Sequence, residues 1–245
     1  IFITLWFITR RGWRAEDIAN LKRPFGLGLI TCQFFNATLF SLGVSIAPVA
    51  LVLLGVATVP IFAAFFAFII LREPTETKTW IAIGSVLCGL SVAVFAPENG
   101  HVQINIWSLL GALAGLGVAI SLSMSFVLIR HQKTAPFLLA IGIGGLLSGL
   151  FGLLMTGLGN MANGNIGYII FTGIVILPTS FFLLSFAARY THASNVSLAL
   201  LLETVLGPLW VWMGTPERPT PMMLFGGFIV ILSLITYLIL MRRQK

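Results

Sequence analysis

Residues 193–214 read ASNVSLALLLETVLGPLWVWMG. As a helix this stretch is long enough to cross the ~30 Å hydrocarbon core of a bilayer. Near its middle stands one carboxylate, Glu203, and no other acidic or basic residue lies deep inside an apolar segment of the chain. Insertion scales put a charged Asp at the centre of a spanning helix at about 2.5–3.5 kcal/mol, so a carboxylate kept at that depth marks a functional-site candidate. At helical spacing Glu203 shares a stripe with His192, Val196, Ala199, Gly207, Trp210 and Gly214. The small residues one turn to either side leave room for a neighbouring helix, a ligand or water.

The rest of the chain agrees with a spanning reading. Of 245 residues, 58% are hydrophobic and only 9% charged, where a soluble domain carries about 25% charged residues. A polytopic membrane protein is the class this composition allows. The formal charge of +7 raises the question of nucleic acid, but the bases are scattered through short connecting segments and form no stripe, so no nucleic-acid partner is expected. Cys32 and Cys88 both fall within apolar segments, without disulfide or metal-ligand spacing, and read as small packing residues. No phosphate loop, nucleophile constellation or metal-ligand cluster is present in the sequence, so neither an enzyme nor a cofactor or metal is expected.

The chain opens at Ile1 with an apolar run to Thr9 that is too short to span and lacks the basic start of a signal peptide. The expectation is a sequence that begins near the end of a helix whose start lies upstream. A polar, basic stretch follows, TRRGWRAEDIANLKRP, read as a loop with an interfacial turn around Trp13. Apolar segments of spanning length then occupy 24–43, 48–71, 80–96, 106–129, 136–158, 166–188, 193–214 and 221–240. Hydrocarbon leaves an open backbone unsatisfied, and these runs are too long and too uniformly apolar for barrel strands. The expected fold is therefore an all-α membrane helix bundle with eight complete spans.

Threading the spans alternately puts every base except Arg218 on one side. By the positive-inside rule that side is cytoplasmic, and the C-terminus lies there, in an integral protein of the inner or plasma membrane. A faint repeat accompanies this. Residues 48–95 read span, REPTETKT, span, and residues 192–240 read span, TPERPTPM, span, with Glu73 and Glu217 matched at hinges on opposite sides. Opposite orientation of similar halves is the pattern of inverted repeats, whose sites lie near the midplane. Small residues recur every fourth position at Gly111, Gly115 and Ala119, and again at Gly144, Ser148 and Gly152, which predicts close helix packing. Pro60, Pro178 and Pro208 interrupt three spans, each removing a donor and freeing a carbonyl.

The stretch VPIFAAFFAFIILREPTETKTWIAIGSVLCGLSVAVF has a proline in its first helix, a glutamate at the hinge and glycines in its second. It resembles the closing helix pair of an EamA-like repeat of the drug/metabolite transporter superfamily. RYTHASNVSLALLLETVLGPLWVWMGTPERPTPMMLFGGFIVILSLI is similar to the same pair in a second repeat. The resemblance covers essentially the whole chain and implies ten helices in two inverted halves, with both termini inside. It makes residues 1–96 an incomplete first repeat, from part of helix two to helix five, and residues 106–241 the second repeat, helices six to ten. The family often places a proline directly after its intramembrane Glu. Here Thr204 follows Glu203 and the proline comes at Pro208, while Val59 stands before Pro60 where the first half would carry the acid.

Polar residues inside the spans complete the candidate site. Gln33 and Asn36 lie one turn apart on one face of the first span, and an unpaired amide in hydrocarbon is costly, so both should point inward. Thr179 and Ser180 follow Pro178, and Ser180 pairs with Asn36 when the repeats are aligned. Either group could line a substrate cavity or tie helices together. Ser121 and Ser125, one turn apart, are expected to return their hydroxyls to their own helix backbone. Desolvation should raise the pKa of Glu203, which suits a proton-coupling group, and an ionised Glu203 would suit a cationic substrate moiety. His192 reads as interfacial, and Glu73, Glu76, Glu98 and Glu217 as solvated loop or helix-end groups. The resemblance implies a secondary transporter for a small, amino-acid-like or related metabolite, with Gln33, Asn36, Thr179, Ser180 and Glu203 binding substrate. The rival reading is a non-transporting membrane scaffold. The expected partners are a small-molecule substrate and the lipid bilayer, and a homodimer is compatible with the sequence.

Overall fold

A computed structural model describes residue 3 and residues 15–47, 49–94, 106–132, 136–157, 166–192, 195–200, 206 and 221–242. Every regular element among them is helical. A short helix α1 (Ala15–Leu21) precedes α2 (Pro24–Ile46), α3 (Val49–Val56) and α4 (Val59–Phe66), which runs on through a π-helical turn, Ala67–Leu71. Then come α5 (Thr77–Val94), α6 (Ile106–His131), α7 (Phe137–Thr156) and α8 (Ile166–Phe171). A second π-helical turn, Thr172–Ile176, leads into α9 (Leu177–Tyr190), and α10 (Pro221–Arg242) closes the described chain. Residues 195–200 are also helical. Part of the stretch read as a loop thus forms α1, with Leu21 buried; Trp13 lies outside the described residues.

Prolines set several boundaries. Pro24 occupies the first turn of α2, where its missing N–H is no loss, and Arg23 before it is extended. Ala47, which precedes Pro48, is extended as well, and α2 ends there. The segment 48–71 is not one continuous helix. Pro60 cannot donate to the Val56 carbonyl, and the chain breaks at Ala57–Thr58, where the Thr58 hydroxyl donates to the Gly55 carbonyl at 2.7 Å. The Ser123 hydroxyl of α6, fully buried, donates to the Val59 carbonyl at 2.9 Å and ties the restarted helix to α6. The second π-helical turn stands just before Pro178, where it relieves the clash between the proline ring and the carbonyl four residues back.

Helix α6 is the centre of the packing, in contact with α2, α3, α4 and α9. Its buried Ala119, Phe126 and Val127 join Val59 and Ala63 of α4 and Leu139 and Ile141 of α7 in one apolar core. A second cluster forms where α5 meets α10, with Ile83 and Val86 against Val230 and Tyr237. The predicted small-residue stripes do act in packing. A Cβ on Gly55 would stand 2.7 Å from the Ala112 carbonyl oxygen, and one on Gly115 would collide with the Val52 carbonyl, so α3 and α6 touch backbone to backbone. Gly144 likewise lets α7 close on α2, its missing Cβ position being 2.7 Å from the Ile30 carbonyl oxygen.

Among the described residues, four helices are long and apolar enough to cross a membrane: Pro24–Ile46, Leu109–His131, Phe137–Thr156 and Thr172–Tyr190. Val59–Leu71 and Phe228–Tyr237 are shorter apolar helices. Large apolar side chains such as Phe68, Ile81, Leu146 and Phe228 face outward, as a lipid-facing surface requires. Of the cysteines, Cys32 is half-buried, whereas Cys88 is exposed rather than packed.

Candidate functional site

The inward expectation for the α2 amides holds, since Gln33 and Asn36 are both buried. The stem of Gln33 lies against Gly144, where a Cβ would come within 2.8 Å of it. Two residues further on, Thr38 shares a 2.9 Å hydrogen bond with Ser148 of α7, and Phe34 meets Phe151 edge-on at 5.9 Å. Of these contacts, the approach of Gly144 sets Gln33 beside α7. Thr31, by contrast, is exposed and donates to the Leu27 carbonyl of its own helix at 2.8 Å. Ser125 does what its spacing predicts and donates to the Ser121 carbonyl at 2.9 Å.

Thr179 and Ser180 sit in the first turn of α9, beside a buried Pro178, with exposed side chains. They and the α2 amides therefore do not share one enclosed environment in this structure. Glu203, with Pro208, Glu217 and Arg218, lies outside the described residues.

A second group of polar residues assembles at one end of the bundle. The π-helical turn after α4 ends at Arg72, whose backbone is left-handed (φ 53°), and Glu73 follows with its N–H on the Ala67 carbonyl at 3.3 Å. For a residue with a Cβ the left-handed conformation costs roughly 1–2 kcal/mol. The sharp turn brings the Glu73 carboxylate to Arg130 in the last turn of α6. Nη2 of Arg130 donates to Oε1 at 2.8 Å and its Nε reaches both carboxylate oxygens at 3.1 Å. His192 Nδ1 lies 2.9 Å from Oε2. Burial pushes the Glu73 pKa up, but hydrogen bonds and charge attraction from Arg130 and then His192 outweigh it, and the carboxyl is held below its ordinary value. Glu73 is thus an ionised group that keeps the partial exposure the sequence suggested and is also held by Arg130 and His192. The pairing spans 57 residues to Arg130 and 119 to His192, so no local pattern carried it. The alternation of spans put Glu73 and Arg130 on the same side, but nothing in the spacing said that they meet.

Other contacts gather at this end. Phe25 stacks on His131 with ring centroids 4.9 Å apart, and the Arg189 guanidinium lies 5.4 Å from the Phe137 ring centre. The Tyr237 hydroxyl donates to Asn195 Oδ1 at 2.6 Å and shares a 3.1 Å bond with Thr79. Through these contacts the start of α2, the ends of α4 and α6, the start of α7 and the end of α9 converge, bringing Arg23, Arg72, Arg130 and Arg189 to a single end.

The profile of the EamA-like transporter family matches residues 1–95. Over 237 residues the chain is 27% identical to the uncharacterized transporter YdfC of Bacillus subtilis (strain 168), an alignment covering 93% of this chain and 74% of that protein. Its backbone also superposes on a protein crystal structure with a TM-score of 0.69 and 16% identity, over 100% of this chain and 96% of the other, a likeness of fold alone. A helical bundle with these apolar spans and these relatives is an integral membrane transporter, not an enzyme. The likeness is to the EamA-like, drug/metabolite type of transporter, and the family profile covers the first 95 of the 245 residues.

Proposed function

We propose that this protein is a secondary transporter that moves a small, amino-acid-like or related metabolite across the inner or plasma membrane by alternating access. In this reading eight of ten helices fall within the sequence, residues 1–96 and 106–241 form two inverted halves, and the C-terminus is cytoplasmic. The observation that carries it is the pair of amides, Gln33 and Asn36, buried in the middle of a span long and apolar enough to cross the membrane. Amides at that depth either line a solute path or bond neighbouring helices, and we read this pair as lining a path. Two further features support it: the interruption of α3–α4 at Pro60 and the π-helical turn before Pro178. Transporters place broken helices around their midplane sites, where freed carbonyls can meet a solute. The gathering of bases at one end supports the orientation.

Gln33, Asn36, Thr179, Ser180 and Glu203 are the residues we assign to substrate. Thr179 and Ser180 are exposed in this conformation, and their assignment rests on the repeat alignment with Asn36. Glu203 is the residue we assign to proton coupling, on its place near the middle of an apolar stretch of spanning length. The experiment is reconstitution in proteoliposomes with a pH gradient and an internal pH-sensitive dye, challenged with pooled amino acids. Wild-type vesicles should show solute-dependent proton movement, and Glu203→Gln should abolish it while eluting as the same monodisperse species. Wild-type movement in the variant removes Glu203 from the mechanism.

A scaffold without transport is the second reading. It is favoured by the hydroxyls that already serve helix packing, Thr38 on Ser148 and Ser123 on the Val59 carbonyl. Water reaching the buried amides separates the two readings, as a scaffold keeps them dry.

A further inference from the structure

From the cluster at the basic end we infer that Glu73, Arg130 and His192 form a latch that closes this end of the transport path. The inference rests on the transporter reading above and assigns to that path a gate. Glu73 belongs to the first half as proposed, while Arg130 and His192 belong to the second, so the carboxylate bridges the two bodies that must rock apart. The bridge closes over α2: Phe25, at the start of that helix, stacks on His131, the residue next to Arg130. Cys32 and Gln33 follow on the same helix, about 12 Å deeper at 1.5 Å per residue. In this inference the path from this end to the buried amides passes the latch.

The strength of the contact suits a gate. The Arg130–Glu73 pair is bidentate, which makes it geometrically specific, yet the side chains keep 16% and 30% exposure. Pairs that water can reach are weak enough to break and re-form in each cycle, unlike a fully buried pair, whose separation strands a charge. The carboxylate is also mounted on a joint. The π-helical turn Ala67–Leu71 and the left-handed Arg72 place Glu73 where it is, and both are departures from regular helix that a change of state can relax. Arg72 and Arg189 bring further positive charge to this end, so loss of the Glu73 carboxylate leaves cations facing one another and favours opening.

The test uses the full chain in a Cys88→Ser background, with the native Cys32 thiol as reporter and a water-soluble maleimide as probe. Inside-out and right-side-out vesicles are labelled separately. Labelling from the basic side should be slow in this background and about three- to tenfold faster in Glu73→Gln and in Arg130→Gln, as expected for losing one charge-assisted pair. Arg130→Lys, which keeps the charge but not the fork, should fall between. His192→Gln, altering an exposed ring, should give a smaller rise. The latch is overturned if Glu73→Gln and Arg130→Gln label at the parent rate while folded. It is equally overturned if labelling rises alike from both sides, the mark of general loosening. Solute-dependent proton movement in the parent vesicles separates the two claims: intact movement with unchanged labelling rejects the latch alone, whereas absent movement rejects the proton-coupled reading of the path on which it rests.

Discussion

Gly115→Leu should yield no monodisperse protein after detergent extraction, whereas Gly145→Leu should purify like the parent. Position 115 is where α6 lies against the backbone of α3. A Cβ there meets the Val52 carbonyl, and one on Gly55 across the contact would stand 2.8 Å from the Gly115 carbonyl carbon. In lipid, helix association relies on close van der Waals contact and not on exclusion of water, so a lost approach is not replaced by another driving force. Adding single methylenes to a packed interior typically costs about 1–3 kcal/mol. Leucine adds four carbons at a site with backbone on the far side, and the expected loss is a large part of the ~5–15 kcal/mol that stabilises a folded protein. Gly145 is the control because a Cβ there meets nothing within 4 Å and the position is exposed. Size-exclusion profiles of the two variants check the pair, and equal behaviour would mean that α3 and α6 do not approach as described.

The second large effect is functional. Gln33→Leu and Asn36→Leu should each lower solute-dependent proton movement by about tenfold or more, without loss of thermal stability. Removing one hydrogen-bonding partner of a solute costs about 1–3 kcal/mol, and 1.4 kcal/mol is a factor of ten. Stability should hold or rise, because replacing a buried amide by an apolar group of similar size relieves its desolvation. That split distinguishes a solute path from a packing role. If the amides only tied α2 to its neighbours, the melting temperature would fall and the transport rate per folded molecule would not.

The helices were legible because their signal is strong and local. The run from Pro24 carries its own start signal in proline and its own stop at Ala47–Pro48, and α2 fills nearly the span expected of it. The four-residue spacing of Gly111, Gly115 and Ala119 announced a close contact, and the structure shows which helix makes it. The break between α3 and α4 was half legible: Pro60 was evident, but the turn falls at Ala57–Thr58, where the Thr58 hydroxyl holds the Gly55 carbonyl. The charged cluster was not legible. Glu73 reads locally as a hinge residue in REPTETKT, and only the packing of α4 against α6 brings Arg130 to it. For the candidate site, burial of Gln33 and Asn36 followed from the cost of an amide in hydrocarbon, a property of the residue itself. The surroundings of Thr179 and Ser180 depend on how α9 meets its neighbours, which no spacing encodes. Glu203 remains assigned on its depth in an apolar stretch.

The most direct test of the central claim, a solute path passing the buried amides of α2, is thiol accessibility at position 36. In a Cys32→Ser, Cys88→Ser background, Asn36→Cys is exposed to an impermeant maleimide in right-side-out and in inside-out vesicles. Alternating access predicts that the thiol reacts from both sides. It also predicts that each rate changes in opposite directions when the pH gradient is reversed. A thiol that reacts from neither side would show a dry, filled bundle and contradict the account.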